Sequence, residues 1–495
     1  MSDTPNPKVE ENVPESLIPS GNLPPAKFRD MPEPVPLRKM LGPSIMLSGL
    51  ALGSGEFILW PYITYQSGFI FFWACILGVI TQYFINMEIT RWSLATGESA
   101  VTGFARLSKH WAWIFLFLNI VPWMLPAWAT GAAKIVGWLI WGQELSSGQE
   151  TTLAIAGLFG CGLILTAGKV VYETVEKIQI VLVSSVILLV VGLAFFLVRW
   201  DAVSAQIVGV GSLGNVPDMD TLTPTLLLGA LAFAGAGGTV NLGQSNYVKD
   251  KGYGMGRYIG RITSPLTGQE EAISETGYHF PHTPANLDRW RRWWRAATIE
   301  HFLTFFLTCL VCLVLLTLIA YCLFYDAAGV LKPEAGQYGK GMEFIRGQAV
   351  EINNLFGGMT HTIFLIMGIV ILLTTEFGVL DITSRISMDI VKVNWLRKSS
   401  RWTESRLYYV FLWGTILLGT IILLVGVDRV SAFDLFKYSA AMNGGVMFLY
   451  CIILIYMNRF KLAPAIRMGW VRLLAMIWAV LFFGFFVFKL LWGAF

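Results

Sequence analysis

Apolar runs of about twenty residues, each closed by a short polar segment, recur along most of the chain. A run of that length matches the ~20 residues a helix needs to cross ~30 Å of hydrocarbon. The pattern predicts eleven spans, at about 43–66, 69–93, 110–141, 150–167, 172–199, 222–248, 299–325, 359–390, 407–426, 432–457 and 468–494. Residues 1–40 break the pattern. They are polar and proline-rich, show no signal-peptide pattern, and predict a disordered cytoplasmic tail. Residues 41–495 predict a single all-α transmembrane domain. Between the spans, residues 327–358 predict a partly ordered outer loop.

Composition agrees with the spans. Hydrophobic residues make up 55% of the 495 residues and charged ones only 14%, against roughly 25% charged in a soluble domain. Many of the 19 Trp sit at span ends, where an aromatic belt is expected. The net charge of +4 forms no basic stripe, so nucleic acid is not an expected partner. Its distribution does fix an orientation. Segments on one side carry Arg29, Arg38, Lys39, Arg106, Lys109, Lys169, Arg397, Lys398, Arg401, Arg459, Lys461 and Arg467, and the loop 249–298 adds Lys249, Lys251, Arg257, Arg261, Arg289, Arg291, Arg292 and Arg295. The other side carries chiefly Lys332, Lys340 and Arg346. The positive-inside rule then puts the N-terminus in the cytoplasm and the C-terminus outside a plasma (inner) membrane. The Arg/Trp run Leu287–Thr298 predicts a helix in the interface, as an anchor or as a lipid-binding site.

Two spans contain a conflict. Span one reads GPSIMLSGLALGSGEFILWP, with Gly53-Ser54-Gly55 at its middle. Span six reads LLLGALAFAGAGGTVNLGQSNYV, with Gly235-Ala236-Gly237-Gly238-Thr239 at its middle. Each glycine costs roughly 1 kcal/mol in a helix interior. Close packing of small residues is one explanation for either span alone. Two clusters five spans apart favour another. An odd number of spans inverts the second unit, giving inverted repeats (41–200 and 220–457, with 468–494 extra). Broken helices at matching places in such repeats point to the central site of a secondary transporter. A break leaves free N–H groups on one half-helix and free carbonyls on the other, attractive to anions and cations respectively.

The residues at these breaks resemble the Nramp metal-ion transporters. That family's first span usually reads GPGFLMS-IAYLDPGN, and Gly42-Pro43 to Glu56 lie on it without gaps. Its sixth span carries MPHNLYLHS, where this chain has Gly238-Thr239-Val240-Asn241-Leu242. Leu94–Ser99, LATGES, is similar to its TG motif. The resemblance covers about residues 41–460 and implies a LeuT-type fold with ion-coupled alternating access. The ligand positions depart from it. The metal-binding Asp falls on Gly53, the Asn on Glu56, the Met on Gly238 and the His on Val240; only Asn241 survives. The soft thioether that suits transition metals is gone.

The altered site therefore predicts a small solute other than a transition metal. One reading is a small anion, such as bicarbonate or a short carboxylate. Backbone N–H groups of Gly53, Gly55, Gly235, Gly237 and Gly238 would approach it, and Ser54, Thr239 and Asn241 would add hydrogen bonds. Glu56 is then the candidate to hold a coupled Na⁺ or H⁺, or it caps the half-helix it begins. The other reading is a hard divalent cation, Mg²⁺ or Mn²⁺, on Glu56, Asn241 and freed carbonyls. No cofactor is called for. No HExxH, paired Asp or Ser–His arrangement suggests an enzyme. Cys309 and Cys312, a C-x-x-C pair, are read as packing residues. Glu88 and Arg91 predict a structural ion pair, Lys134 a side chain reaching outward, and Glu376, Asp381 and Arg385 a polar seam or a proton path.

Overall fold

The computed structural model describes residues 11–36, 40, 42–168, 171–218, 222–260, 276–426 and 431–492. Arg38, Lys39, Lys169 and Arg261, which contribute to the predicted orientation, lie outside them, as do residues 1–10. The first helical segment joins α1 (Pro43–Ala51), a π-helical stretch (Leu52–Leu59) and α2 (Trp60–Ser67). Next come α3 (Phe72–Thr96), α4 (Ala100–Leu107), α5 (His110–Trp123), α6 (Ala127–Trp141), α7 (Ser147–Ala167) and α8 (Val171–Leu197). A short α9 (Trp200–Gly211) leads to α10 (Pro224–Ala232) and α11 (Gly238–Asp250). The rest comprises α12 (Pro284–His301), α13 (Leu307–Phe324), α14 (Glu343–Phe356), α15 (Gly358–Asn394), α16 (Glu404–Gly426), α17 (Ala432–Ile455) and α18 (Trp470–Trp492).

Among the described residues, nine helical runs are long and apolar enough to cross a membrane, and each falls on an expected span. The other two expected spans, one and six, are assembled from shorter pieces. α10 packs on α17, α11 on α3, and α15 on α6 and α16, so the two glycine-bearing segments lie inside the bundle. The outer faces of the long helices are apolar and uncovered; Phe195 and Leu188 of α8 are 82% and 73% exposed. Such a surface suits lipid, because hydrocarbon solvates it without penalty.

Three sequence expectations change. Span one is not unwound at Gly53–Gly55: its backbone stays helical and widens into the π stretch, which accommodates an extra residue without losing its hydrogen-bond ladder. The Arg/Trp run Leu287–Thr298 is not a separate interfacial helix. It lies within α12, which continues through a π turn (Phe302–Phe306) into α13. Its Trp290 and Trp293 are buried in protein, and Arg291, Arg292 and Arg295 point outward.

Residues 11–36 are not a disordered tail. They form a strap whose β1 (Lys27–Phe28) pairs in parallel with β2 (Tyr278–His279). Arg106 donates to the Pro24 carbonyl at 3.0 Å, Trp293 to the Pro32 carbonyl at 2.8 Å, and the Met31 amide to Asn286 at 3.1 Å. Its own Val13, Ile18, Leu23 and Met31 are buried against the helices. A proline-rich chain has little conformational entropy to lose, and its carbonyls stay free to accept.

Candidate functional site

α10 ends at Ala232 and α11 begins at Gly238, with a non-helical linker between them. Gly235, Gly237 and Gly238 have φ of 140°, 76° and 56°, values that any side chain would strain. Gln82 of α3 fills the turn. Its Nε2 donates to the Ala232 carbonyl at 2.7 Å, and its Oε1 accepts from the Gly237 amide at 3.2 Å. One side chain thus satisfies an orphan carbonyl of α10 and an orphan amide of α11, which unwinding in an apolar interior would otherwise leave costly. α11 has no side-chain cap and no acidic residue in its first turn. This N-terminus is the positive end of the helix dipole.

The first turn of α11 carries the other predicted residues. Thr239 accepts from Trp123 Nε1 at 2.8 Å. Asn241 Nδ2 donates to Gln82 Oε1 and to the Tyr450 hydroxyl, both at 3.2 Å, while its Oδ1 is buried without a partner. Asn443 of α17 presses on Gly238 so closely that a Cβ there would lie 1.7 Å from its Oδ1, which also lacks a partner. Across from this cluster, a Cβ on Gly55 would lie 1.3 Å from the Phe233 carbonyl oxygen, so the π stretch of span one touches the end of α10 backbone to backbone. The structure therefore gathers Gly55, Gly235, Gly237, Gly238, Thr239 and Asn241 around the linker. The side chain of Ser54 lies outside what is described.

Two predicted residues turn elsewhere. Gly53 faces α15, where a Cβ would meet Thr375 Oγ1 at 2.0 Å. Glu56 is fully buried with both oxygens unpartnered. The groups that sense its charge are the thiols of Cys75, Cys309 and Cys312. No hydrogen bond from the linker or from the N-terminus of α11 reaches it. The π stretch makes it a mid-helix residue rather than the start of a half-helix, so it is not a cap.

Gln82, Trp123, Asn443 and Tyr450 are site residues that sequence reasoning missed as such. Gln82 stands out in an apolar helix, and Asn443-Gly444-Gly445 interrupts another, but neither signal names a partner 150 or 200 residues away. The other polar residues settle into pairs. Glu88 and Arg91 are bonded at 2.7 Å. Asp381 and Arg385 form the polar seam at 2.9 Å, joined by Asp250 and the hydroxyls of Tyr247 and Tyr408. Glu376 stands apart from it, accepting the Ala129 amide at 3.2 Å. Lys134 lies 3.2 Å from Glu144, just after α6, and 3.5 Å from Glu343 of α14. There, partial burial and the adjacent Glu144 push Glu343 up to about 7.

No described protein family matches the chain, and no curated protein does. Solved structures do. Two mutants of the manganese transporter of Eremococcus coleocola superpose with TM-scores of 0.63 and 0.61 at 11% identity, covering 92% of this chain and 88% of theirs. MhsT in complex with L-phenylalanine superposes with a TM-score of 0.51 at 14% identity, covering 89% of this chain and 98% of that one. At such identities the likeness is one of fold. The chain is an integral membrane protein whose fold is that of the manganese transporter of Eremococcus coleocola and of MhsT.

Proposed function

We propose that this protein is a secondary active transporter that moves a small anion, bicarbonate or a short carboxylate, by alternating access coupled to Na⁺ or H⁺. Segments 43–67 and 224–250 then complete eleven spans, as the equivalent first members of two inverted repeats, with the N-terminus cytoplasmic. The observation that carries the substrate reading is the uncapped N-terminus of α11 inside the bundle. Its amides and dipole have no acidic partner there, and an anion supplies one. Thr239, the Trp123 indole and the Asn241 amide stand around that end. Glu56 is the coupling residue: an unpaired carboxylate among thiols calls for a counter-charge, which a cation or proton provides. Once neutralised by that cation or proton, Glu56 does not repel a bound anion.

The second reading is a hard divalent cation, Mg²⁺ or Mn²⁺. It is favoured by the unpartnered buried oxygens of Asn241, Asn443 and Glu56. Such a cation would sit with part of its water shell on these hard ligands. Proteoliposomes separate the two. The anion reading expects uptake of labelled bicarbonate or acetate driven by a Na⁺ or pH gradient, and loss of that coupling in Glu56→Gln. Uptake of Mg²⁺ or Mn²⁺ with no anion flux, or micromolar Mn²⁺ binding by calorimetry, overturns it.

A further inference from the structure

A second buried polar cluster lies at the N-terminus of α1, away from both the linker and Glu56. Glu300 of α12 is 4% exposed, and His301 beside it is 1% exposed. Glu300 Oε1 accepts the Ser44 amide at 3.1 Å, and Oε2 accepts the Ser44 hydroxyl at 2.5 Å. The same hydroxyl oxygen lies 2.8 Å from His301 Nδ1 and accepts from Gln244 Nε2 of α11 at 3.0 Å. A hydroxyl has one proton to give. Given to Glu300, it leaves the oxygen to accept from Gln244 and from a proton on His301 Nδ1. His301 Nε2 and Gln244 Oε1 are then buried acceptors, and neither has a partner.

Ser44 thus joins three elements: α1, α11 and α12. α1 has no side-chain cap of its own, Gly42 standing at its N-cap position. A carboxylate from another helix does that work, accepting an orphan amide at the positive end of the dipole.

We propose that Glu300, Ser44 and His301 form a proton-binding site, separate from Glu56, whose occupancy sets how tightly the N-terminus of α1 is held to α12. This rests on the transporter reading only for its consequence, that α1 moves during transport. With Glu300 ionised, the hydroxyl and amide of Ser44 both donate to it, and both bonds are charge-assisted. Uptake of one proton on Glu300 makes it a neutral acid that donates to Ser44 Oγ. The proton enters at His301 Nε2, the ring passes its Nδ1 proton to Ser44 Oγ, and Ser44 passes its own to Glu300; the Ser44 hydroxyl then donates to His301 Nδ1, and charge and atoms balance with one proton gained. The tie from α12 to α1 then loses its charge-assisted pair, and α1 is held less tightly.

The groups facing the site are identifiable. Glu176 and Tyr172 of α8 stand against Gly42, where a Cβ would lie 2.3 Å and 2.6 Å from their oxygens. Glu176 is neutralised by Lys251 at 2.6 Å. Tyr253, just after α11, and Asp250 at its end complete that side. Tyr83 of α3 stacks on His301 with ring centroids 5.6 Å apart, and Arg472 of α18 faces the same imidazole.

The test uses the full-length protein in nanodiscs without substrate. Infrared difference spectra on acidification should show a carboxyl C=O band that disappears in Glu300→Gln and survives in Glu56→Gln. Ser44→Ala should shift its midpoint by about one pH unit, a tenfold change in proton affinity. Maleimide labelling of Ile45→Cys should quicken several-fold on acidification, and become independent of pH in a Glu300→Gln background. A band unchanged in Glu300→Gln overturns the site. Should that variant not fold, a midpoint unmoved in both Ser44→Ala and His301→Gln does so. A band that behaves as expected with labelling insensitive to pH overturns the link to α1. None of these readouts needs a substrate, so failure of the anion reading leaves them decisive.

Discussion

Gly55→Ala tests whether span one and the end of α10 meet backbone to backbone. The new Cβ would lie 1.3 Å from the Phe233 carbonyl oxygen and 2.4 Å from its carbon. Carbon needs roughly 3.2–3.5 Å to such a group, so the two segments must part by about 2 Å. No side chain can rotate to relieve this, because the obstacle is main chain on both sides. Overpacking by one methyl typically costs 1–3 kcal/mol where side chains can adjust. Here the upper end of that range, about 3 kcal/mol, is expected, and the parting would also pull Phe233 off the turn that Gln82 holds. Gly192→Ala on α8 is the matched control. Nothing lies within 4 Å of its Cβ, so the same substitution should be neutral or gain up to about 1 kcal/mol in helix propensity. Thermal unfolding followed by size-exclusion fluorescence reads both, and proteoliposome flux reads the consequence. Wild-type Tm and flux in Gly55→Ala would refute the crossing of the two spans at this point.

Arg385→Ala should leave Asp381 and Asp250 buried without a counter-charge and cost about 3–5 kcal/mol, read as a loss of Tm; a neutral result would show that the seam is hydrated. Burial pushes His279 in the loop under the strap down to about 4, with a small further contribution from His282. Its folded value lies below the ordinary 6.5, so the stability it contributes is present above about 6.5 and is lost as pH falls toward about 4, up to about 3 kcal/mol. Limited proteolysis of residues 11–36 should therefore quicken over that window, and His279→Gln should flatten the profile; equal cleavage at both ends of the window would contradict it. Placing Gly53→Asp and Gly238→Met together should not create Mn²⁺ binding by calorimetry, even with Glu56→Asn, whereas micromolar binding would show that Thr375 and Asn443 yield their space.

The glycine clusters were legible because two glycines in three positions in one membrane helix, and three in four in another, are hard to explain. What each cluster does to the backbone was not. Glycine is compatible with a π stretch and with an unwound linker alike, so Gly53 and Gly55 gave no sign that span one stays helical while Gly235–Gly238 does not. The difference lies in tertiary support. Only the second cluster has a Gln82, held on another helix 150 residues away, to satisfy the exposed amide and carbonyl. The strap misled for a related reason. Its composition reads as disorder, yet its binding uses backbone carbonyls of Pro19, Pro24 and Pro32, which Arg106 and Trp293 seek out, and no residue-type signal marks a carbonyl as taken. Glu300 and His301 carry no mark in the sequence that sets them apart; Ser44, the partner of Glu300, is 256 positions distant.

The departures from the resembled family are not only absences. The positions where that family carries an Asp and a Met hold glycines here, and in each case another side chain occupies the room: Thr375 against Gly53 and Asn443 against Gly238. A bare loss of ligands would leave cavities, which interiors tolerate poorly. Compensating side chains from α15 and α17 imply instead a site repacked around a different occupant. The replacements are neutral and polar, and the carboxylate that remains, Glu56, has turned toward thiols rather than toward the linker. The charge that the family resemblance would concentrate at the centre is thereby moved aside, while the N-terminus of α11, with no acidic residue in its first turn, stays in place. That combination is the physical ground for expecting an anion at the linker and a counter-ion beside Glu56, on a scaffold shared with proteins that carry metal.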